Sequence, residues 1–212
     1  MAVTLLASSA LAFDREDLKE LEYNNKCLGC DLTKADLYEA KLSYANLSEA
    51  NLTSANLANA DLYKAKLNGA ELYKADLSEA KLSYAKLSYA KLIRAKLIRA
   101  NLAGANLYKA NLNGADLMGA KLSYANLSEA NLVGAKLRFA KLSKANIKNA
   151  NLDGANMSKS NLSEANLTNA SLMKANLTNA NLTGANLKNA NLRGAVLCNT
   201  IMPDGSVIYE GC

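Results

Sequence analysis

The chain has 212 residues, of which half are hydrophobic, and 25 basic and 19 acidic side chains give it a formal charge of +6. It contains no histidine, so no side chain titrates near neutral pH without a strongly shifted pKa, and general acid–base catalysis is disfavoured. The apolar content is mostly Ala and Leu, which indicates one packing unit used repeatedly. No apolar run is long enough for a transmembrane helix.

Residues 1–12, MAVTLLASSALA, resemble the apolar core and the small-residue cleavage site of a secretory signal. Ala10 and Ala12 occupy the small positions, but the positively charged segment that normally precedes the core is absent. The segment therefore predicts a truncated export signal, and the alternative is the start of a short apolar helix.

Residues 13–30 predict an N-terminal cap. The stretch that begins at Phe13 reads as a short helix, with Asp14 as the N-cap residue and Asp17 in the capping-box position. Leu18 and Leu21 lie three residues apart on this helix, so we expect them to cover the start of the repetitive region that follows.

The repetitive region spans residues 31–200. From Leu32 to Leu197 an apolar residue falls at every fifth position, and 32 of these 34 central residues are Leu, the exceptions being Ile147 and Met157. Ala lies two residues before each centre from Leu37 onward, except at Ser160, and the residue just before the centre is mostly Asn, Asp or Lys. A period of five fits neither a helix nor a strand, so the chain must turn once per repeat.

The period predicts a four-sided coil. If each repeat forms one side of a square, Leu and Ala point inward together and four repeats close a coil of 20 residues. Coils stacked at about 4.8 Å would give about 8.5 coils and a rod of roughly 40 Å. Leu would then fill the axis, Ala would fit the corners, and Asn would bond to neighbouring backbone or form ladders between coils.

Residues 201–212 predict a C-terminal cap, because a Pro-Asp-Gly turn between Met202 and Tyr209 suits a small hairpin or loop. The four cysteines lie at the two ends of the rod, Cys27 and Cys30 at one and Cys198 and Cys212 at the other. A separation of roughly 40 Å excludes a zinc site shared by all four. We expect a local disulfide at each end if the protein is exported, and a redox-active Cys-x-x-Cys is the alternative.

Residues 31–200 resemble the pentapeptide-repeat family. The resemblance implies an all-β, right-handed quadrilateral β-helix, but it implies no single function, because members of the family are diverse. Both terminal segments resemble those of cyanobacterial members. The export signal and the paired cysteines favour the periplasm or the thylakoid lumen, and the alternative location is the cytoplasm.

Residues 81–100 form one coil without an acidic residue, which we call the basic coil. Its lysines occupy the position before the centre on all four sides, and two arginines add charge: Lys81, Lys86, Lys91, Lys96, Arg94 and Arg99. The basic coil predicts a belt for an anionic partner such as a polyanion, a lipid headgroup or an acidic protein, and the alternative is a solvated coil. A belt around a rod suits a nucleic-acid duplex poorly, because only one side can touch it.

Two further surface features stand out in the sequence. Tyr73, Ile93 and Val133 lie on one face and Ile98 and Met118 on the next, and they form a candidate exposed apolar patch, unless they are β-branched residues tolerated on a sheet surface. Tyr44 and Tyr84 share one column with Lys64, so cation–π contacts are available. Duplication of two-coil blocks accounts for their spacing.

The sequence predicts no catalytic residue, no metal ligand and no cofactor, because it contains no nucleophile–base pair and no ligand cluster. The acidic DNA mimicry of gyrase-protecting family members is disfavoured by the positive charge of this chain. We therefore expect a monomeric structural or scaffold protein with no specific nucleic-acid partner. The alternative is a module that binds a protein or a polyanion through the basic coil or the apolar patch.

Overall fold

The computed structural model describes residues 13–209 and Cys212, and the predicted export signal at residues 1–12 lies outside these residues. Helix α1 (Arg15–Asn24) begins after Asp14, whose carboxylate accepts a hydrogen bond from the Glu16 amide at 2.8 Å. It ends at Asn25, which has the left-handed φ of 54°. Its buried residues Leu18 and Leu21 pack on the core of the repeats.

The prediction of a capping box at Asp17 is wrong. The Asp14 amide, which the box would use, donates instead to the Asp31 carbonyl at 3.0 Å. The Asp17 carboxylate accepts from the Asp31 amide at 2.7 Å. Asp17 therefore ties the helix to the first coil rather than closing its own N-terminus.

Four ladders of parallel bridges join residues twenty apart, from Lys26 with Asn46 to Asn181 with Ile201. Because each ladder takes one residue per repeat, the coils are four-sided, and each side pairs through single bridges rather than through extended strands. We number the faces in chain order by the first residue of each ladder. Face 1 begins at Lys26, face 2 at Asp31, face 3 at Asp36 and face 4 at Lys41.

The backbone hydrogen bonds repeat with the same period. The central Leu97 amide donates to the Asp116 carbonyl, nineteen residues ahead, at 2.7 Å. Within the repeat the Ala100 amide donates back to the Leu97 carbonyl and closes a turn at the corner. The second turn residue has a left-handed φ, for example 56° at Arg99, which costs about 1 kcal/mol for a residue other than glycine. The interlocking ladders hold this conformation in every coil.

The core is a column of Leu and Ala that is almost inaccessible to solvent from Leu32 to Ala185. At the C-terminal end, Leu187, Leu192 and Leu197 are only partly buried. The chain ends in an antiparallel hairpin of β1 (Thr200–Ile201) and β2 (Val207–Ile208). In its turn the Asp204 carboxylate accepts hydrogen bonds from the amide and the hydroxyl of Ser206. No helix of residues 13–209 is long and apolar enough to cross a membrane.

Two buried hydroxyls in the described part of the chain have opposite environments. Ser160 stands in an Ala column, and its Oγ has no hydrogen-bond partner there, whereas the Thr200 hydroxyl donates to the Leu177 carbonyl at 2.8 Å. We expect Ser160→Ala to raise the free energy of unfolding by about 1 kcal/mol, because it removes an unsatisfied polar group. The isosteric change Thr200→Val should lower it by about 1 kcal/mol. Urea unfolding of both variants tests the pair, and stabilisation by neither or by both would contradict the expectation.

Candidate interaction surface

The basic coil is not a uniform positive ring, because acids of the preceding coil neutralise part of it. Lys91 Nζ lies 2.6 Å from Glu71, Lys96 Nζ lies 3.3 Å from Asp76, and Arg99 lies 3.8 Å from Glu79. Each acid stands twenty residues earlier, in the same column of the same face. Within the described residues, Lys81, Lys86 and Arg94 have no carboxylate within ion-pairing distance. The free charge of the coil therefore lies on faces 4 and 1 and at one corner.

The lysines of the basic coil replace residues that stabilise the turns. Where Asn or Asp stands before the centre, it accepts a hydrogen bond from the amide two residues ahead, as Asn101 does from Ala103 at 3.2 Å. Lysine has no acceptor, so the turn amides of Ser83, Ser88, Ile93 and Ile98 lack this bond within the described structure. All four turns of the basic coil therefore lack this hydrogen bond, and each carries the positive charge of a lysine instead.

The residues of the candidate apolar patch differ in exposure. Ile93 and Ile98 are partly buried on the surface of the coils, and Met118 is 40% exposed. Met118 is therefore the most exposed of the three, and the partial burial of the two isoleucines is also what β-branched residues tolerated on a sheet surface would show.

Positive charge is concentrated on two adjacent faces. Each face is counted as its ladder residues and the two turn residues that follow each of them. In residues 26–200, faces 1 and 4 together carry twelve basic and four acidic side chains, whereas faces 2 and 3 carry eleven and eight. The four acids on faces 1 and 4 are Glu49, Asp61, Glu129 and Glu164.

Tyrosines and lysines gather at the two corners that border face 1. At the corner with face 4, the Tyr63 ring meets the Tyr44 and Tyr84 rings edge-on, at 5.6 and 6.1 Å between centroids. Lys64 Nζ lies over the Tyr44 and Tyr63 rings, and contact with the Tyr63 hydroxyl raises the pKa of Lys64. The cation–π contact of Lys64 with Tyr44 was predicted from their shared column. The contacts of Tyr63 were not predicted, because Tyr63 lies in the neighbouring column.

A shallow depression of about 620 Å³ lies near the C-terminal end of face 2. Its lining includes Asp153, Met173, Lys174 and Arg193. The Asp153 carboxylate already accepts hydrogen bonds from the Ser171 hydroxyl and the Met173 amide. Among the described residues, no group of three or more His, Cys, Asp or Glu side chains is placed to hold a metal ion.

The four cysteines form two disulfides, one at each end of the solenoid. Cys27 pairs with Cys30 beside helix α1, and Cys198 pairs with Cys212 beside the hairpin. The first bond closes a short loop within the first coil, and the second fastens Cys212 to the last coil of the solenoid.

The sequence profile of the Pentapeptide repeats matches residues 30–69, 60–97, 85–123, 120–158 and 160–199, with eight copies. The chain belongs to the pentapeptide-repeat family. No curated protein matches this pentapeptide-repeat protein. Among solved structures it is similar to HetL, a pentapeptide repeat protein involved in heterocyst differentiation regulation from the cyanobacterium Nostoc sp. strain PCC 7120. The two are 39% identical over 86% of this chain and 87% of HetL, with a TM-score of 0.63.

It is also similar to AT2G44920, a pentapeptide repeat protein of the Arabidopsis thaliana thylakoid lumen. The identity is 38%, and the match covers 45% of this chain and 66% of the Arabidopsis chain with a TM-score of 0.44. The family and the similarity to HetL agree with the repeat β-helix that the structure shows.

Asp76, which pairs with Lys96 of the basic coil, should contribute to acid sensitivity. Burial raises its pKa, but hydrogen bonds from Ser78 and the contact with Lys96 outweigh burial and hold the pKa below the usual 3.8. A lowered folded pKa stabilises the protein above the unfolded value, and this stabilisation is lost as the pH falls through the folded value. We expect Asp76→Asn to lose less stability than wild type between about pH 5 and pH 2, measured by urea unfolding. Parallel losses in both proteins would contradict this.

Proposed function

We propose that this pentapeptide-repeat protein is a non-enzymatic scaffold, a rigid rod that holds side chains at fixed positions on flat faces. The observation that supports this most directly is the continuous buried column from Leu32 to Ala185, which consists of Leu and Ala except at Ile147, Met157 and Ser160. A repeat core without long loops offers flat faces in place of the enclosed cleft that catalysis usually requires. The acid of the one depression described above is already bonded to its neighbours.

We further propose that the protein works as a monomer in an oxidising compartment, either the periplasm or the thylakoid lumen. Two disulfides support this location, because reducing compartments keep thiols unpaired. In the alternative, cytoplasmic location, the four cysteines would be reduced.

Thiol content tests the location and the disulfides together. Protein isolated from its native compartment and denatured should show no free thiols, and four free thiols would reject both bonds. A disulfide stabilises a protein by lowering the entropy of the unfolded chain, and it does so more when it closes a longer loop. On this basis the bond between Cys198 and Cys212 contributes about 3 kcal/mol to the free energy of unfolding, and the bond between Cys27 and Cys30 contributes about 2 kcal/mol. We therefore expect replacement of both Cys198 and Cys212 by Ser to destabilise the protein more than the same change at Cys27 and Cys30, by urea unfolding.

A second candidate function is a module that binds a protein or a polyanion through the basic coil. The four turns that give up a hydrogen bond for a lysine favour this candidate, because local stability is there exchanged for charge. A gyrase-type DNA mimic needs a dense negative surface, and the formal charge of +6 continues to disfavour it.

A titration with heparin tests the basic coil. Replacing Lys91, Arg94, Lys96 and Arg99 by Ser removes four positive charges on faces 2 and 3. If the coil binds polyanions, we expect the affinity to fall by about tenfold or more and the salt dependence of binding to weaken. Unchanged affinity would remove these four residues from the proposed surface.

A further inference from the structure

Two clusters at the corners of face 1 have the same internal geometry. The first is Tyr44, Tyr63 and Lys64, and the second is Tyr89, Tyr108 and Lys109. The ring centroids lie 5.6 Å apart in the first cluster and 5.7 Å apart in the second, with nearly perpendicular planes. The lysine lies 5.7 and 5.1 Å from the two rings of the first cluster, and 5.9 and 5.2 Å from those of the second.

The second cluster holds a carboxylate of this chain. Lys109 Nζ lies 3.3 Å from Glu129 Oε2, and the Tyr108 hydroxyl donates to Glu129 Oε1 at 3.3 Å. Glu129 stands one coil above Lys109, in the same column. A Tyr–Lys pair at such a turn can therefore hold a carboxylate between a hydroxyl and an ammonium.

The first cluster has the same donors without an acid. One coil above Lys64, in the position that Glu129 occupies in the second cluster, stands Tyr84. Within the described residues no carboxylate lies within ion-pairing distance of Lys64. The Tyr63 hydroxyl and the Lys64 ammonium are thus arranged as in the second cluster, but the acid that would complete the site is missing from the chain.

Two lysines add positive charge beside the first cluster. Lys66 and Lys86 are bridged neighbours in the ladder of face 1, and neither has a carboxylate within ion-pairing distance in the described structure. Lys66 follows Lys64 by two residues, so both lysines border the same corner. Among the described residues, no acid of the preceding coil pairs with either lysine, whereas Lys91 and Lys96 on faces 2 and 3 do have such partners.

We propose that Tyr63, Lys64, Lys66 and Lys86 form a binding site for the carboxylates of an acidic segment of another protein. This site rests on the proposed scaffold function and gives it a partner of defined chemistry. Charge complementarity favours an acidic partner, and Lys64 Nζ already lies over the Tyr44 and Tyr63 rings. A base or sugar that stacks on that side of these rings would have to displace the lysine. The phenol and ammonium donors that remain are suited to carboxylate oxygens.

The probe is a short fluorescein-labelled peptide in which Glu alternates with Gly, and its binding is measured by fluorescence anisotropy at low and at physiological ionic strength. Wild type should bind this peptide more tightly than the equivalent Gln–Gly peptide. The variant Tyr84→Glu places an acid where the second cluster has Glu129, so it should occupy the site and weaken binding by about tenfold or more. Left-handed turn positions elsewhere already hold Glu, for example Glu79, so the fold should tolerate the change.

Matched variants separate a specific site from net charge. Tyr124→Glu makes the same change in the same column two coils away, beside Lys144, which already pairs with Glu164. It should alter peptide affinity by less than about twofold. Tyr63→Ser should weaken binding, and Ser already stands at the same column position in Ser43 and Ser83. Tyr73→Ser, at the same turn position but on face 2, is its control.

The outcomes distinguish this site from the broader proposal. Equal losses in Tyr84→Glu and Tyr124→Glu, or a larger effect of Tyr84→Glu on the binding of oligothymidylate or heparin than on the binding of the Glu peptide, would overturn the carboxylate site. If only the Ser substitutions at Lys91, Arg94, Lys96 and Arg99 weaken the peptide complex, the rod still binds acidic partners, but through the basic coil. If no probe binds wild type, the site and the binding function are both rejected, and only the passive scaffold remains.

Discussion

The hydrogen-bond ladder between coils is the constraint on which the rest of this structure depends. A central amide pairs with the carbonyl nineteen residues ahead throughout the solenoid, so the length of each coil is held at twenty residues. The ladder also fixes each corner, where a residue such as Arg99 must adopt a left-handed φ at a cost that the repeated pairing offsets. Leu and Ala fill the interior because the enclosed space is the same in every coil.

The same constraint determines how surface residues meet. Side chains in one column lie one coil apart, so every ion pair within the solenoid joins residues separated by twenty positions, as Lys136 and Asp116 do among the described residues. The chemistry of the surface is therefore arranged along columns and not along the chain. The difference between Glu129 and Tyr84 shows the consequence, because one residue in a column decides whether the Tyr–Lys pair below it is already bound to an acid.

Much of the fold could be predicted from the sequence, because a period of five with Leu at 32 of 34 centres permits few structures. The details that failed involve contacts between distant segments. Asp17 fits a capping box by spacing, but Asp31 competes for the Asp14 amide across the first coil. The basic coil looks like a ring when charge is summed along the chain, and it loses that character when Glu71 and Asp76 are placed beneath it. The Tyr63 contacts join neighbouring columns, which column periodicity alone does not connect.

Outer positions of this solenoid can change with little effect on the core, since their side chains make few contacts that the ladder needs. The turn position two residues after the centre holds Tyr, Phe, Lys, Glu, Arg, Asn, Ser or Gly with nearly the same φ. Selection for stability alone would favour glycine or asparagine there, because these residues adopt a left-handed conformation at the least cost. Where Tyr and Lys instead occupy two successive coils, as at Tyr44 and Lys64, their ring and cation–π contacts offset part of that cost. Among the described residues, the Tyr63 hydroxyl and the Lys64 ammonium are still left without an acid, which is the arrangement that the proposed acidic partner would complete.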